Sequence, residues 1–163
     1  MNAHKGGLEI AKEQRQEEEL RYPYVVRGAR IYCNYGSHIR KLDMPASHVS
    51  KIREKAMLHD QDCKVGIDQN IPPFGACYSP ENGEIKIEIH DAKDLVPMVD
   101  ENGNLIEASL PIVGTLCVPQ LGDKWLDARE ETLVDGKPAI TVQCTIACKY
   151  GGVISFMDDG QEV

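Results

Sequence analysis

Aromatic residues are scarce in this chain: they make up 6% of it, with a single tryptophan and two phenylalanines. A core short of aromatic bulk has to be filled by Ile, Val, Leu and Ala. Basic residues are outnumbered, 18 Lys and Arg against 26 Asp and Glu, for a formal charge of −8. That deficit speaks against a nucleic-acid footprint and against docking on an anionic membrane surface. No apolar run approaches the ~20 residues that a membrane-spanning helix needs. The start, Met1-Asn2-Ala3-His4-Lys5, leads into charged residues rather than an apolar signal core. Synthesis in the cytoplasm, with no exit by a cleaved signal, is the expectation. No phosphate-cradling loop or dinucleotide fingerprint is present, and Gly6-Gly7 stands alone.

The 163 residues present suffice for one domain with a real core, at an ordinary 42% hydrophobic and 27% charged. Six cysteines are many for a chain without an export signal. In a cytoplasmic setting they are reduced thiols rather than disulfides. Two readings then stand side by side: small buried hydrophobes, or metal ligands.

Two short stretches echo each other. Cys33-Asn34-Tyr35-Gly36-Ser37-His38-Ile39 is matched by Cys148-Lys149-Tyr150-Gly151-Gly152-Val153-Ile154. Each carries Cys-x-Tyr-Gly and then a residue that opens a strand. A second pair, Lys55 to Cys63 and Lys137 to Cys144, repeats more loosely. Repeated β-units that carry cysteines point to a small, metal-pinned β-structure rather than to an enzyme pocket.

The rest of the chain reads as many short strands between Gly and Pro turns, and so as a mostly-β domain. Residues 8–21 are strong helix formers with few apolar positions, either a solvated arm or a docking helix, closed by Pro23. The organisation expected is a charged N-terminal arm over residues 1–23, helical or disordered, and a β-domain over residues 24–163. Residues 84–90 alternate three isoleucines with Glu84, Lys86, Glu88 and His90, the period of a half-buried strand. Leu110 to Val118 reads as a buried apolar run broken by Gly114. Thr132 to Ile140 reads as a hairpin with Asp135-Gly136 at its tip, and Val153 to Met157 as a last strand. Residues 50–60 read as a helical turn or a loop. Ile71-Pro72-Pro73 lacks two donors and cannot be regular structure.

The chemistry-bearing residues are few. Cys144 and Cys148 form a Cys-x3-Cys pair, a spacing that can put two thiolates on one metal when it lies on a tight turn. Cys33, Cys63, Cys77 and Cys117 are scattered singly, so a site built from them must be assembled by the fold. His38 and His48 flank the first repeat and could join a Cys/His site. His90 lies on a polar strand face. No cysteine has a nucleophile context, and the loop carboxylates Asp60, Asp62, Asp91, Asp94 and Asp100 are ordinary in an acidic protein. Trp125 is expected to be a structural plug over the sheet.

Tyr32 to Ser37, Asn70-Ile71-Pro72-Pro73-Phe74-Gly75-Ala76-Cys77, Leu116-Cys117-Val118-Pro119, Trp125 and Cys148 to Ile154 together resemble the PAAR-like family of bacterial proteins. The resemblance runs from about residue 24 to residue 161. It implies a conical β-domain of short strands that caps the trimeric spike of a contractile injection machine: a type VI secretion system, a phage tail or an extracellular injection particle. Such tips sharpen the spike and can carry effector or toxin cargo. They touch a membrane only transiently, during puncture, and stay cytoplasmic until assembled and delivered with the particle. The resemblance also implies zinc. Ordinary PAAR domains bind it through histidines and a cysteine, but this chain has Tyr35 and Tyr150 where those domains have histidine. Pro45-Ala46-Ser47-His48 and Pro138-Ala139 are partial versions of the naming motif. The site implied is therefore thiolate-rich: Cys33, Cys77, Cys117 and Cys148, with Cys63, Cys144 and His48 in reserve.

The leading expectation is a structural tip protein without catalysis. A carrier for an appended toxin is disfavoured by the few residues outside the domain. The alternative is a stand-alone cytoplasmic zinc-binding or redox-sensing β-module, which needs the cysteines but no spike.

Overall fold

The computed structural model describes residues 22–45, 47–82, 86–91, 93–107 and 109–161. The expected N-terminal arm lies outside them except for Tyr22 and Pro23, as does Ala46 of the partial naming motif. The domain is all-β, with no helix among the described residues. The strands among the described residues are β1 (Arg30–Cys33), β2 (Arg40–Lys41), β3 (Lys51–Ile52), β4 (Lys55–Ala56), β5 (Ala76–Cys77), β6 (Lys86–Ile89), β7 (Met98–Val99), β8 (Leu105–Ile106), β9 (Ile112–Leu116), β10 (Arg129–Val134), β11 (Lys137–Ala139), β12 (Ile146–Ala147) and β13 (Val153–Phe156).

The strands form small antiparallel sheets. One has the order β12-β13-β1-β2, another β5-β9-β6, and three are two-stranded hairpins: β3–β4, β7–β8 and β10–β11. In the four-stranded sheet Cys33 faces Ile154 and Ile31 faces Phe156. A bridge from Gly36 to Cys77 joins this sheet to β5 of the three-stranded one. A side chain on Gly36 would meet the Cβ of Phe74 at 2.7 Å, so only glycine lets the two backbones approach this closely.

Two sequence expectations hold in detail. β6 exposes Lys86 and Glu88 and half-buries Ile87 and Ile89, the period-two pattern of the sequence; Glu84 and Ile85 of that stretch lie outside the described residues. The Asp135-Gly136 hairpin is present, with φ of 50° and 78° at its two tip residues, as a type I′ turn requires.

Two others change. Residues 51–56 are a hairpin, not a helical turn, and Arg53 and Glu54 take the left-handed tip positions at φ 51° and 66°. Tertiary contacts hold this turn despite its residue types: Arg27 N–H donates to Ala56 O at 2.9 Å, and Lys55 Nζ to Gly160 O at 2.8 Å. The apolar run around Gly114 alternates instead of burying throughout. Ile112, Thr115 and Cys117 are buried, while Val113 and Leu116 face out.

The core matches the shortage of aromatics. Its main cluster combines aliphatic residues such as Val25, Ile31, Leu42, Leu58, Ile71, Ile140 and Ile154 with Phe74, Trp125 and five of the cysteines. Trp125 is the plug that the sequence suggests. It is 1% exposed, stacks on Phe156 at 4.9 Å, and donates its indole N–H to Asp62 O at 3.0 Å.

Candidate functional site

The two Cys-x-Tyr-Gly copies fold into the same turn. Gly36 N–H donates to Cys33 O and Gly151 N–H to Cys148 O, both at 2.9 Å. The tyrosine carbonyls also point to one segment: Tyr35 O accepts from Tyr78 N–H at 2.7 Å, and Tyr150 O from the Ser79 hydroxyl. The copies lie side by side, because Asn34 reaches across to Val153 through both its backbone N–H and its side-chain oxygen.

The second echo is also structural. His59 O accepts Asp62 N–H and Thr141 O accepts Cys144 N–H, each at 3.0 Å. Gln61 N–H donates to His59 Nδ1 where Gln143 N–H donates to Thr141 Oγ1. His59 N–H donates to the Asp62 carboxylate where Thr141 N–H donates to Cys144 Sγ. The matching turns equate Cys144 with Asp62, one residue away from the Cys63 that the sequence pairs with it. These copies also touch: Ile140 N–H donates to Leu58 O and Asp60 N–H to Pro138 O.

This doubled scaffold brings remote cysteines together. Cys33 ends β1, Cys77 ends β5, and Cys117 follows β9. Phe74 N–H donates to Cys117 O and Cys117 N–H to Gly75 O, which fixes Cys117 beside β5. The neighbouring Cys117 is the main reason the Cys33 thiol is pulled down to about 6, against the opposing effect of burial. The N–H groups of Tyr35 and Gly36 lower it too. Cys117 is pushed up by Cys33, by burial and by Cys77, and it keeps its proton. Cys117 therefore neighbours both Cys33 and Cys77, but the three sulfurs do not gather within 4.8 Å of one another.

Cys148 is held one hairpin rung away, its N–H on Gly152 O at 2.7 Å and its Sγ accepting Gln120 N–H at 3.4 Å. The two regions touch through Gly152, where an added Cβ would stand 2.8 Å from Cys33 Sγ. Cys63 lies apart, near Gly122 O, and burial with the neighbouring Asp62 raises its thiol to about 11. Cys144 is occupied by Thr141. The Cys-x3-Cys pair does not share a turn, because β12 runs between its members and separates them by on the order of 10 Å. All six cysteines are free and buried.

The histidines divide. His38 is a buried structural residue, bonded through Nδ1 to Ser37 Oγ at 2.7 Å and through Nε2 to Asp91 O at 3.0 Å. His90 is exposed near Glu88. His48 is different: its Nε2 sits on the Asp62 carboxylate at 2.9 Å, its Nδ1 lies 3.5 Å from Asp135, and its ring is 4.4 Å from that of His59. His48, His59 and Asp135 offer ligand atoms that all lie within 4.8 Å of one another, close enough to hold a metal ion. Sequence reading kept His48 in reserve, gave His59 no role and saw Asp135 only as a turn residue. No local spacing links the three.

The family described as a domain of unknown function, DUF4280, matches residues 25–161, and the chain belongs to that family. No curated protein and no solved structure gives a match.

Proposed function

We propose that this DUF4280 chain is a non-catalytic tip protein that caps the trimeric spike of a contractile injection machine, helping it to puncture a membrane and to carry effector or toxin cargo. The motifs that resemble PAAR-like proteins suggest this role. The observation that carries it furthest is the doubling of one Cys-x-Tyr-Gly turn, its two copies lying side by side. A tip under load gains from cross-links between segments far apart in sequence, and it has no use for loose strand edges. Short strands closed by tight turns, packed on a sulfur-rich core, suit such a load. The type of machine stays open between the type VI-like, phage-tail-like and extracellular forms.

Zinc belongs to this reading. The Cys33 thiol, pulled down to about 6 beside Cys117, suits a thiophilic ion. A thiolate site would have to draw Cys77 and Cys148 closer, because no three cysteine sulfurs among the described residues lie within 4.8 Å of one another. The test is to purify injection particles from cells that express a tagged copy. Enrichment of the tag with spike and baseplate subunits is expected, and a tag that never enriches with them overturns the reading.

A second reading is a stand-alone zinc-binding or redox-sensing module. The acidic Cys33 thiol beside Cys117 favours it, because a thiolate next to a thiol is poised for disulfide formation. Burial of both sulfurs opposes it. Thiol titration separates the two: a disulfide that forms and reverses under a glutathione couple supports the sensor.

A further inference from the structure

We propose that His48, His59 and Asp135 form a divalent-cation site of nitrogen and oxygen ligands, separate from the thiols, in which Asp62 is the positioning residue. The proposal does not depend on the tip reading.

The geometry supports it at each ligand. His48 Nδ1 and Asp135 Oδ2 are 3.5 Å apart, the edge of a tetrahedron around an ion ~2.0–2.1 Å from each ligand. The Asp62 carboxylate takes His48 Nε2–H with both oxygens, at 2.9 and 3.2 Å. This fixes the tautomer that leaves the Nδ1 lone pair free, the arrangement in which a carboxylate orients a metal-binding histidine. His59 Nδ1 accepts Gln61 N–H at 3.1 Å, so ligation by this ring gives up that bond or the tautomer that makes it.

The duplicated turn gives an independent argument. Thr141 and Cys144 close the second copy with the same backbone pattern. The turn therefore needs only an acceptor at each place, and a threonine and a cysteine suffice. The imidazole and carboxylate of the first copy exceed what the turn demands. They are also where the Asp135 hairpin tip and the loop of His48 arrive. A cation there ties the loop of His48 to two segments already bridged at His59 and Ala139, with water in the fourth position on the open side of Asp135, whose side chain is 71% exposed.

Cobalt(II), added to the full chain, is the probe. A nitrogen–oxygen site gives d–d absorption without a sulfur-to-metal charge-transfer band, and that spectrum is expected to persist in Cys33→Ser. Asp135→Asn keeps a residue that tolerates the left-handed turn and is expected to weaken cobalt binding at least tenfold, as is His48→Ala. Rescue of the N–H acceptor alone, in Asp62→Asn, is expected to leave binding about 10–100-fold weaker. A spectrum carrying only thiolate charge transfer overturns the proposal, and so does binding that is unchanged in Asp135→Asn. A failed spike pull-down leaves these results untouched, and a missing cobalt signal leaves the tip reading untouched.

Discussion

Cys33 ends β1 of the four-stranded sheet and Cys117 follows β9 of the three-stranded one, yet Cys117 is the largest influence on the Cys33 thiol. The effect is asymmetric. It stabilises charge on Cys33, whose turn also supplies the N–H groups of Tyr35 and Gly36, and leaves Cys117 as the protonated partner. The lowered thiol of Cys33 thus depends on the meeting of two segments and belongs to neither alone.

The first prediction concerns that charge. The difference in thiolate absorbance between the native chain and Cys33→Ser is expected to titrate with a midpoint of about 6. Removing that neighbour, in Cys117→Ala, moves the midpoint upward, because burial then acts with less opposition. A native midpoint in the ordinary thiol range would contradict the assignment.

The close approach at Gly152 predicts a contrast between glycines. An alanine there places its Cβ 2.8 Å from Cys33 Sγ, whereas Gly122 has nothing within 4 Å. Gly152→Ala is expected to cost about 1–3 kcal/mol, and Gly122→Ala to stay within about 0.5 kcal/mol of the native chain. Urea unfolding of both variants measures the difference.

Trp125 carries an unusual share of the core because aromatics are so few. Trp125→Ala removes the stack on Phe156 and the bond to Asp62 O, for an expected loss of about 3–5 kcal/mol. Trp125→Phe keeps the stack and loses the N–H donor, so it should fall between. The same unfolding series ranks the three.

Asp158 ties the end of the domain to β1. Burial pushes its carboxyl up, but the Arg30 N–H, the Arg30 guanidinium and Gly160 N–H together hold it below the usual carboxylate range. A depressed folded value means that the contribution is complete above the unfolded value and disappears as pH falls through the folded one. The pair is substantially solvent-exposed, so the contribution is at most about 1 kcal/mol. Asp158→Asn is expected to lower stability at neutral pH and to flatten the acid limb of the stability profile. An unchanged acid limb would show that the carboxylate is not coupled to folding.

Local patterns were readable where local physics decides them. The alternation in β6, the Asp135-Gly136 tip and the Cys-x-Tyr-Gly turn each depend on residues close in sequence, and each appears. The β3–β4 hairpin was hidden because Arg53-Glu54 has no turn signature; Arg27 and Gly160, from elsewhere in the chain, hold it. The match of Asp62 with Cys144 was hidden for a related reason. The turn uses the two side chains as equivalent acceptors although their chemistry differs, so a comparison by residue type slips by one position. The four cysteines expected to act together end up on separate segments, Cys33 at the end of β1, Cys77 at the end of β5, Cys117 after β9 and Cys148 after β12, where no local spacing could place them. The His48, His59 and Asp135 cluster left no trace in the sequence, because its members come from three segments joined only in space.

The most direct measurement is native mass spectrometry of the chain mixed with the purified trimeric spike protein of the injection machine from the same cell. The tip reading predicts a complex of three spike chains with one copy of this chain, a ratio set by a pointed cap on a threefold shaft. Spike trimers and this chain flying separately at micromolar concentration would contradict it.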